Sequence, residues 1–213
     1  MAKGESVPKK VDHEARRREI AEAVLRLAAA DGLESVSLRQ VAAEAGISMG
    51  AVQHYFRTKD DMLGFALEHL ARRREDRITA RLSAGGAVPT VRELVRVSAL
   101  EVLPTDEPSR ADYLAGIAFF IRALREPRTA GLLTEGAPKL YDFFAGQLLR
   151  AQAAGELAEG ADPYREVVLL WSMVDGQSSA LLLGECSAED AVATIEYHLD
   201  RLFLPVEAPV TMG

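Results

Sequence analysis

The sequence predicts an all-α protein of about nine helices, and three observations carry that expectation. Ala (34) and Leu (27) make up 61 of the 213 residues, and both are strong helix formers. No alternating apolar/polar run is bounded by hairpin turn residues, and β-branched runs are scarce. Ser37 with Gln40, Ser109 with Asp112 and Ser187 with Asp190 carry the spacing of helix-starting capping boxes. There is no internal repeat and no low-complexity tract.

Residues 1–11 read as a flexible basic arm, with Gly4, Pro8 and lysines at 3, 9 and 10. A first helix is expected from about Asp12 to Ala30, with Ile20, Val24 and Leu27 on one face. Asp31-Gly32 ends it, because glycine accepts the left-handed conformation of a helix C-terminus. A second helix starts at Ser37 and stops at Gly46. Ser48 caps a short third helix reaching Tyr55 or Phe56, and Thr58 caps a fourth that continues to about Leu82.

The stretch Gly85–Pro89 is a candidate junction. Further helices are expected at about 89–103, 109–125, 127–154, 163–184 and 187–204. Asp162-Pro163 pairs a cap with a proline in the first turn, where the missing N–H costs nothing. Pro138 is expected to kink or restart the 127–154 segment. Residues 205–213, with two prolines, read as a loose tail.

Composition bounds the function. The longest apolar-plus-glycine run, Leu114–Ile121, is far shorter than a transmembrane helix needs, so no membrane partner is expected. The charged N-terminus does not resemble a secretory signal, and the cytoplasm is the expected compartment. One cysteine, Cys186, excludes an intrachain disulfide and a multi-cysteine metal site. The four histidines, His13, His54, His69 and His198, are scattered without ligand spacing, so neither metal nor cofactor is expected. The net charge of -7 is uneven: residues 1–81 carry +2 and residues 82–213 carry -9. Two parts with different partners follow from that asymmetry.

Function concentrates in Ser37–Phe56, SLRQVAAEAGISMGAVQHYF. It reads as a short helix, a glycine turn and a second short helix. Leu38, Val41, Ala42 and Ala45 pack one side, and Ile47, Val52 and Phe56 the other. Met49, Gly50, Ala51, Gln53 and His54 are then largely free of core duty. An exposed seven-residue helix without an acidic side chain fits the DNA major groove.

The pattern from the first helix through HYFRTKDDML (His54–Leu63) resembles the tetracycline-repressor (TetR) family over residues 12–65. The segment Gln152–Gly176 gives the larger C-terminal part a resemblance to the BetI-type variant of that family. The resemblance implies a DNA-binding domain at 12–58 and a regulatory and dimerisation domain at 59–204. It further implies a homodimer on a palindromic double-stranded operator, released by a small molecule. Carried onto this chain, the DNA-binding set is Ser37, Arg39, Ser48, Met49, Gly50, Ala51, Gln53, His54, Tyr55, Thr58 and Lys59. Ser37 and Thr58 offer hydroxyls and helix N-terminal amides to phosphates, and Arg39 and Lys59 offer charge. Tyr55 stands where the family uses an aromatic or histidine hydrogen bond to the DNA backbone. Gln53 departs from the family's tyrosine and can read adenine through its amide. Met49 and Ala51 offer apolar contact to thymine methyls. Lys9, Lys10, Arg16, Arg17 and Arg18 can track the DNA backbone or enter a minor groove, while Arg16–Arg18 can also serve as a solvated helix face, and the same bland reading fits Arg72–Arg74.

The regulatory half gathers aromatic residues. Tyr113, Ile117, Phe120 and Leu124 share one helical face, and Leu133, Leu140, Tyr141, Phe144 and Leu148 another. They read either as bundle core or as a mostly apolar effector pocket with a few polar groups. The effector set is Tyr113, Ile117, Phe120, Arg122, Tyr141, Phe144, Trp171 and Asp175, with Gln177 a further polar group. Ser172, Gly176, Ala180 and Gly184 form a stripe of small residues, matched by Val192, Ile195, Leu199 and Leu202 on the last helix. These two stripes read as a close intrachain crossing or as the dimer interface of a four-helix bundle.

The leading expectation is a ligand-responsive repressor. A helical enzyme acting on a hydrophobic small molecule, or a dimeric interaction module without DNA binding, stand as alternatives. No Ser/His/Asp set, cleft carboxylate pair or phosphate loop supports the enzyme.

Overall fold

The computed structural model describes residues 9–205, and within them the chain is all-α, with nine helices. In order they are α1 (Lys9–Asp31), α2 (Leu38–Glu44), α3 (Met49–Tyr55), α4 (Lys59–Ala84), α5 (Val91–Val102), α6 (Glu107–Ala123), α7 (Pro127–Ala153), α8 (Pro163–Leu183) and α9 (Ala188–Leu202). The expected arm at 1–8 and tail at 206–213 lie outside the described residues. Lys9–Val11, expected in the arm, are the first turn of α1.

The helix ends follow local chemistry. Ser37 and Gln40 make the reciprocal capping box of α2, and Ser187 and Asp190 that of α9. Asp162 accepts from the amides of Tyr164 and Arg165 at the start of α8. At the end of α2, Gly46 takes φ +66°. Its N–H bonds to the Ala43 carbonyl, and the Ile47 N–H reaches the Ala42 carbonyl. That paired closure satisfies two orphan carbonyls and turns the chain sharply into α3.

Three local expectations are corrected. α6 does not start on a Ser109–Asp112 box. Asp106 takes the cap instead, accepting from the Ser109 amide at 2.8 Å while Ser109 Oγ accepts from the Asp106 amide. The Asp–x–x–Ser spacing lies three residues earlier and puts the carboxylate on the exposed amides. α7 runs through Pro138 as one helix, which excludes the restart but not the kink of the expected pair. The Arg72–Arg74 run is not a uniformly solvated face: Arg73 and Arg74 are half-buried.

The chain forms two compact units, each discontinuous in sequence. The first takes residues up to 73 together with 111–133. Its core joins Ile20, Val24 and Ala28 of α1, Val41 and Ala42 of α2, Val52 of α3 with Phe56 at its cap, Met62 and Leu70 of α4, and Ala115 and Phe119 of α6. Phe119 is the largest fully buried side chain, and burying such a ring contributes roughly 1.5–3 kcal/mol. Polar clamps add to this core. Arg73 donates to Glu22 of α1 at 2.5 Å and also to Asp112 of α6, which is almost fully buried.

The second unit takes residues 74–110 and from 134 onward. Val95, Ala99 and Leu103, Phe144 and Leu148, Leu170 and Val174, and Ile195 and Leu199 bring α5, α7, α8 and α9 together. The buried Glu101 carboxylate lies between Arg77 and Arg81 of α4, with Arg81 Nη1 at 2.9 Å. After α9 the chain is clasped to the α7–α8 turn. The Ala158 N–H bonds to the Leu202 carbonyl at 2.9 Å, and the Leu204 N–H to the Glu156 carbonyl at 2.7 Å.

Candidate nucleic-acid interface

The first unit builds a helix–turn–helix from α2 and α3. Val41, Ala42, Val52 and Phe56 are buried, and Leu38, Ala45 and Ile47 pack partly buried against them, as their spacing predicts. With those residues committed to the core, Met49, Gly50, Gln53 and His54 are exposed on α3 and Ala51 is half-exposed. Six of these seven helical residues carry no formal charge, and the seventh is His54. Phosphate therefore meets no carboxylate on this helix.

Hydroxyl caps begin α2 and α3 and the α4 that follows them. Ser37 accepts from the Gln40 amide at 3.3 Å, Ser48 from the Ala51 amide at 3.1 Å, and Thr58 from the Asp61 amide at 3.0 Å. The caps engage the third helical residue and leave the first-turn amides before it, at 38–39, 49–50 and 59–60, without intrahelical partners. These partial positive ends are where a phosphate is best stabilised. Ser37 Oγ also donates to Gln40 Oε1 at 2.6 Å, so its hydroxyl is already engaged.

Arg39 extends into solvent from α2. Lys59 is half-buried, and burial and the nearby Arg122 charge hold its ammonium below the usual lysine range, opposed by Glu34 and Asp60. Asp60, in the first turn of α4, is met by Arg122 Nη2 at 3.3 Å and Arg128 Nη1 at 3.6 Å. That pairing offsets the one half-buried carboxylate beside the expected phosphate lysine. The role expected for Arg17 is corrected. Its guanidinium lies 4.1 Å from the Phe65 ring centroid and 4.9 Å from that of Phe56, a cation–π stack that braces α1 against the motif. Arg16 is half-exposed and paired with Glu19 at 2.5 Å, while Arg18 remains exposed. His13 is an addition that the sequence did not reveal: it lies against Tyr55, with ring centroids 4.7 Å apart. The two residues are far apart in sequence, and only the packing of α1 on α3 joins them.

With this geometry in view, the comparisons decide the family. Residues 20–64 match the bacterial regulatory proteins of the tetR family, and residues 91–204 match the C-terminal domain of BetI-type transcriptional repressors. The chain belongs to the TetR family of transcriptional regulators. It is similar to the helix-turn-helix-type transcriptional regulator PksA of Bacillus subtilis (strain 168), with 32% identity over 170 residues, 80% of each chain. It also resembles the crystal structure of a TetR-family regulator from Rhodococcus sp., with TM-score 0.76 and 26% identity, covering 87% of this chain and 97% of that one. A transcriptional regulator from Saccharomonospora viridis in complex with choline shares the fold, with TM-score 0.77 and 24% identity, covering 90% and 99%. Membership of the TetR family makes the chain a helix-turn-helix transcriptional regulator and sets the enzyme reading aside.

The residues expected to meet an effector divide between the units. Tyr113, Ile117, Phe120 and Arg122 belong to the first, and Tyr141, Phe144, Trp171 and Asp175 to the second. In the first unit, Phe120 is 56% exposed and the neighbouring Phe119 takes the core position. Arg122 is engaged with Asp60. In the second unit the Phe144 and Trp171 rings meet edge-on at 5.3 Å, and the Trp171 Nε1–H is buried without an acceptor. Asp175 is exposed on α8, yet partial desolvation of its carboxyl pushes it above the usual aspartate range, opposed by the charge of Arg74.

The expected dimer stripes need correction. Ile195, Leu199 and Leu202 are fully or almost fully buried in the core of their own unit and are not available to a partner. Gly184 is the left-handed cap of α8 with φ +73°, which accounts for the glycine locally. Ser172 and Gly176 are exposed, and Ala180 and Val192 are half-buried. Leu169 (57%) and Leu183 (74%) extend the same open face of α8, and Tyr197 (63%) stands out from α9. The sequence signal for these exposed apolar groups was present, in Leu169 at i-3 from Ser172 and Leu183 at i+7 from Gly176.

Proposed function

We propose that this TetR-family chain is a homodimeric repressor, released from a palindromic operator by a small, largely hydrophobic effector. The observation that carries the reading is α3: a capped, acid-free helix whose Met49, Gly50, Gln53 and His54 face solvent while Val52 anchors it. Gln53 reads an adenine edge, and Arg39, Tyr55, Thr58 and Lys59, with the first-turn amides of α2, which Ser37 caps, hold the phosphates on either side. Met49 and Ala51 supply apolar contact, and the amides at Ser48 and Gly50 approach the backbone. Two protomers joined through the open face of α8 at Leu169, Ser172, Gly176 and Leu183, with Tyr197 of α9, would present two such helices to successive major grooves.

Tyr141, Phe144, Trp171 and Asp175, all of the second unit, form the proposed effector site. Effector binding favours the conformation whose reading helices misfit the groove spacing, a shift between two existing populations. A second reading, a quaternary ammonium effector, is favoured by the two aromatic pairs of this unit, Tyr141 with Tyr164 and Phe144 with Trp171, since such cations bind aromatic faces. The structural neighbour crystallised with choline supports that class.

The test is selection of bound fragments from random duplex DNA, followed by titration with choline and with an uncharged apolar analogue. Recovery of a palindromic, salt-sensitive site bound by a dimer is the expected result. A protein that stays dimeric and selects no sequence overturns the proposal. Release by choline alone favours the cationic effector, and release by the analogue alone favours the apolar one.

A further inference from the structure

The sequence scatters four histidines, but the fold gathers two of them at the reading helix. His13 of α1 and His54 of α3 flank the Tyr55 ring. The His13 and Tyr55 centroids are 4.7 Å apart at 54°, and those of His54 and Tyr55 are 5.2 Å apart at 82°. The two imidazoles lie 6.4 Å from each other, and both are exposed. Among the described residues, neither ring is engaged in a hydrogen bond or an ion pair. The contrast with His69 and His198 is clear: His69 contacts Glu22 at 2.7 Å and His198 lies 3.6 Å from Glu166.

Among the described residues, no carboxylate is paired with either imidazole. α3 contributes no acidic residue, and Arg57 follows it in the chain. Along α1, Asp12 and Glu14 flank His13 in sequence. Arg16 is taken up by Glu19, and Arg17 by the Phe56 and Phe65 rings. An imidazole is the side chain that gains its charge in the pH range from about 8 to about 5. A protonated ring on the Tyr55 face gains a cation–π contact. Two protonated rings this close repel each other, and a phosphate oxygen accepting from both relieves the repulsion.

We propose that His13 and His54, braced by Tyr55, form a proton-responsive extension of the DNA-binding surface, so that DNA is held more tightly as the pH falls. The inference rests on DNA binding through α3. It adds α1 to the contact surface at a position that the expected set omits, and it couples DNA uptake to proton uptake. Each added phosphate contact steepens the dependence of log affinity on log salt by about 0.9. Two contacts therefore enlarge the affinity loss between about 50 and 200 mM salt by roughly tenfold.

The experiment measures binding of the full-length protein to a short labelled duplex of mixed sequence, across that salt range, at about pH 6 and about pH 8. The wild-type protein is expected to bind more tightly at the lower pH with a salt slope steeper by about 2. His13→Gln should remove about half of that increment, and His13→Gln with His54→Gln nearly all of it. His69 and His198 remain in both variants and serve as the internal control. An identical wild-type slope at the two pH values overturns the inference. So does a pH response that survives intact in the double variant, which would assign it to other groups. Failure to bind DNA at either pH strikes the DNA-binding reading itself, and the two failures are therefore distinct.

Discussion

Lys59 and Gln53 lie close in sequence, yet the proposed interface asks different things of them. Lys59 supplies charge at the first turn of α4, where Arg122 and Arg128 offset the acidic Asp60. Lys59→Gln is expected to weaken binding to every sequence alike and to lower the salt slope by about 1, as read by titration at several salt concentrations. Gln53→Ala should instead leave the salt slope unchanged and cost about 1–3 kcal/mol of discrimination at one base position, as read by selection from a randomised site. Glu22 offers a third test at this scale. Burial pushes its carboxyl up, but the His69 hydrogen bond and the charges of Arg73 and His69 outweigh that and hold it below the ordinary value of 4.5. A carboxyl lowered in the folded state stabilises the fold above its unfolded pKa and loses that contribution as the pH falls through the folded one. Glu22→Gln should therefore lower stability at neutral pH and flatten the loss of stability below about pH 4.5, checked by denaturant unfolding at a series of pH values. The exposure of Gln53 on α3 and the place of Lys59 at the start of α4 were legible from residue type and spacing. The partners of Glu22 were not, because His69, Arg73 and Asp112 reach one cluster from two further helices that no local pattern links.

At the scale of the helix, reciprocal caps were the most readable feature, and the α6 start shows why they can mislead. Ser109 has an acid on both sides at the same spacing, Asp106 and Asp112. The structure uses Asp106 as the cap and spends Asp112 on Arg73 in the interior. Only tertiary context separates the two choices, since each offers a carboxylate of the same kind. The same holds for the face of α6: the periodicity of Tyr113, Ile117, Phe120 and Leu124 is genuine, yet Ala115 and Phe119 face the core. The turn between α2 and α3 gives a sharper prediction. Gly46→Ala meets nothing within 4 Å but must hold φ +66°, a strain of about 1–2 kcal/mol for a residue with Cβ. Its thermal midpoint and DNA affinity should fall together. Gly50→Ala has no such strain, its nearest neighbour being Ser48 Oγ at 3.9 Å, and should gain up to about 1 kcal/mol of helix stability. If Gly50 lies close to the DNA backbone, as proposed, that gain is accompanied by weaker binding.

For the whole molecule, the question is what covers the open face of α8. Ser172 Oγ and Ser179 Oγ bond back to the carbonyls of Val168 and Asp175, so their hydroxyls make no demand on a partner. That leaves Leu169, Gly176 and Leu183 as the surface that a second copy would bury. Gly176→Leu enters open space within the chain, where an added Cβ has no neighbour within 4 Å. The monomer fold should persist by circular dichroism, while the dimer dissociation constant rises by about tenfold or more in sedimentation experiments. An unchanged dimer would move the interface elsewhere. The small-residue stripe was visible as a pattern, but a pattern at helical spacing does not say whether its neighbour is the same chain or another. Burial answers for Ile195, Leu199 and Leu202, which belong to the interior.

The clasp that ties Phe203 and Leu204 to the α7–α8 turn has a kinetic consequence. Because it joins the chain on both sides of the helical pair α8 and α9, neither helix can fray outward from this end without first releasing the bonds at Ala158 and Leu204. The pair should open as one cooperative unit, with its central amides exchanging with solvent deuterium at a common rate. A truncation before Phe203 should split that common rate into two, with α9 exchanging faster than α8.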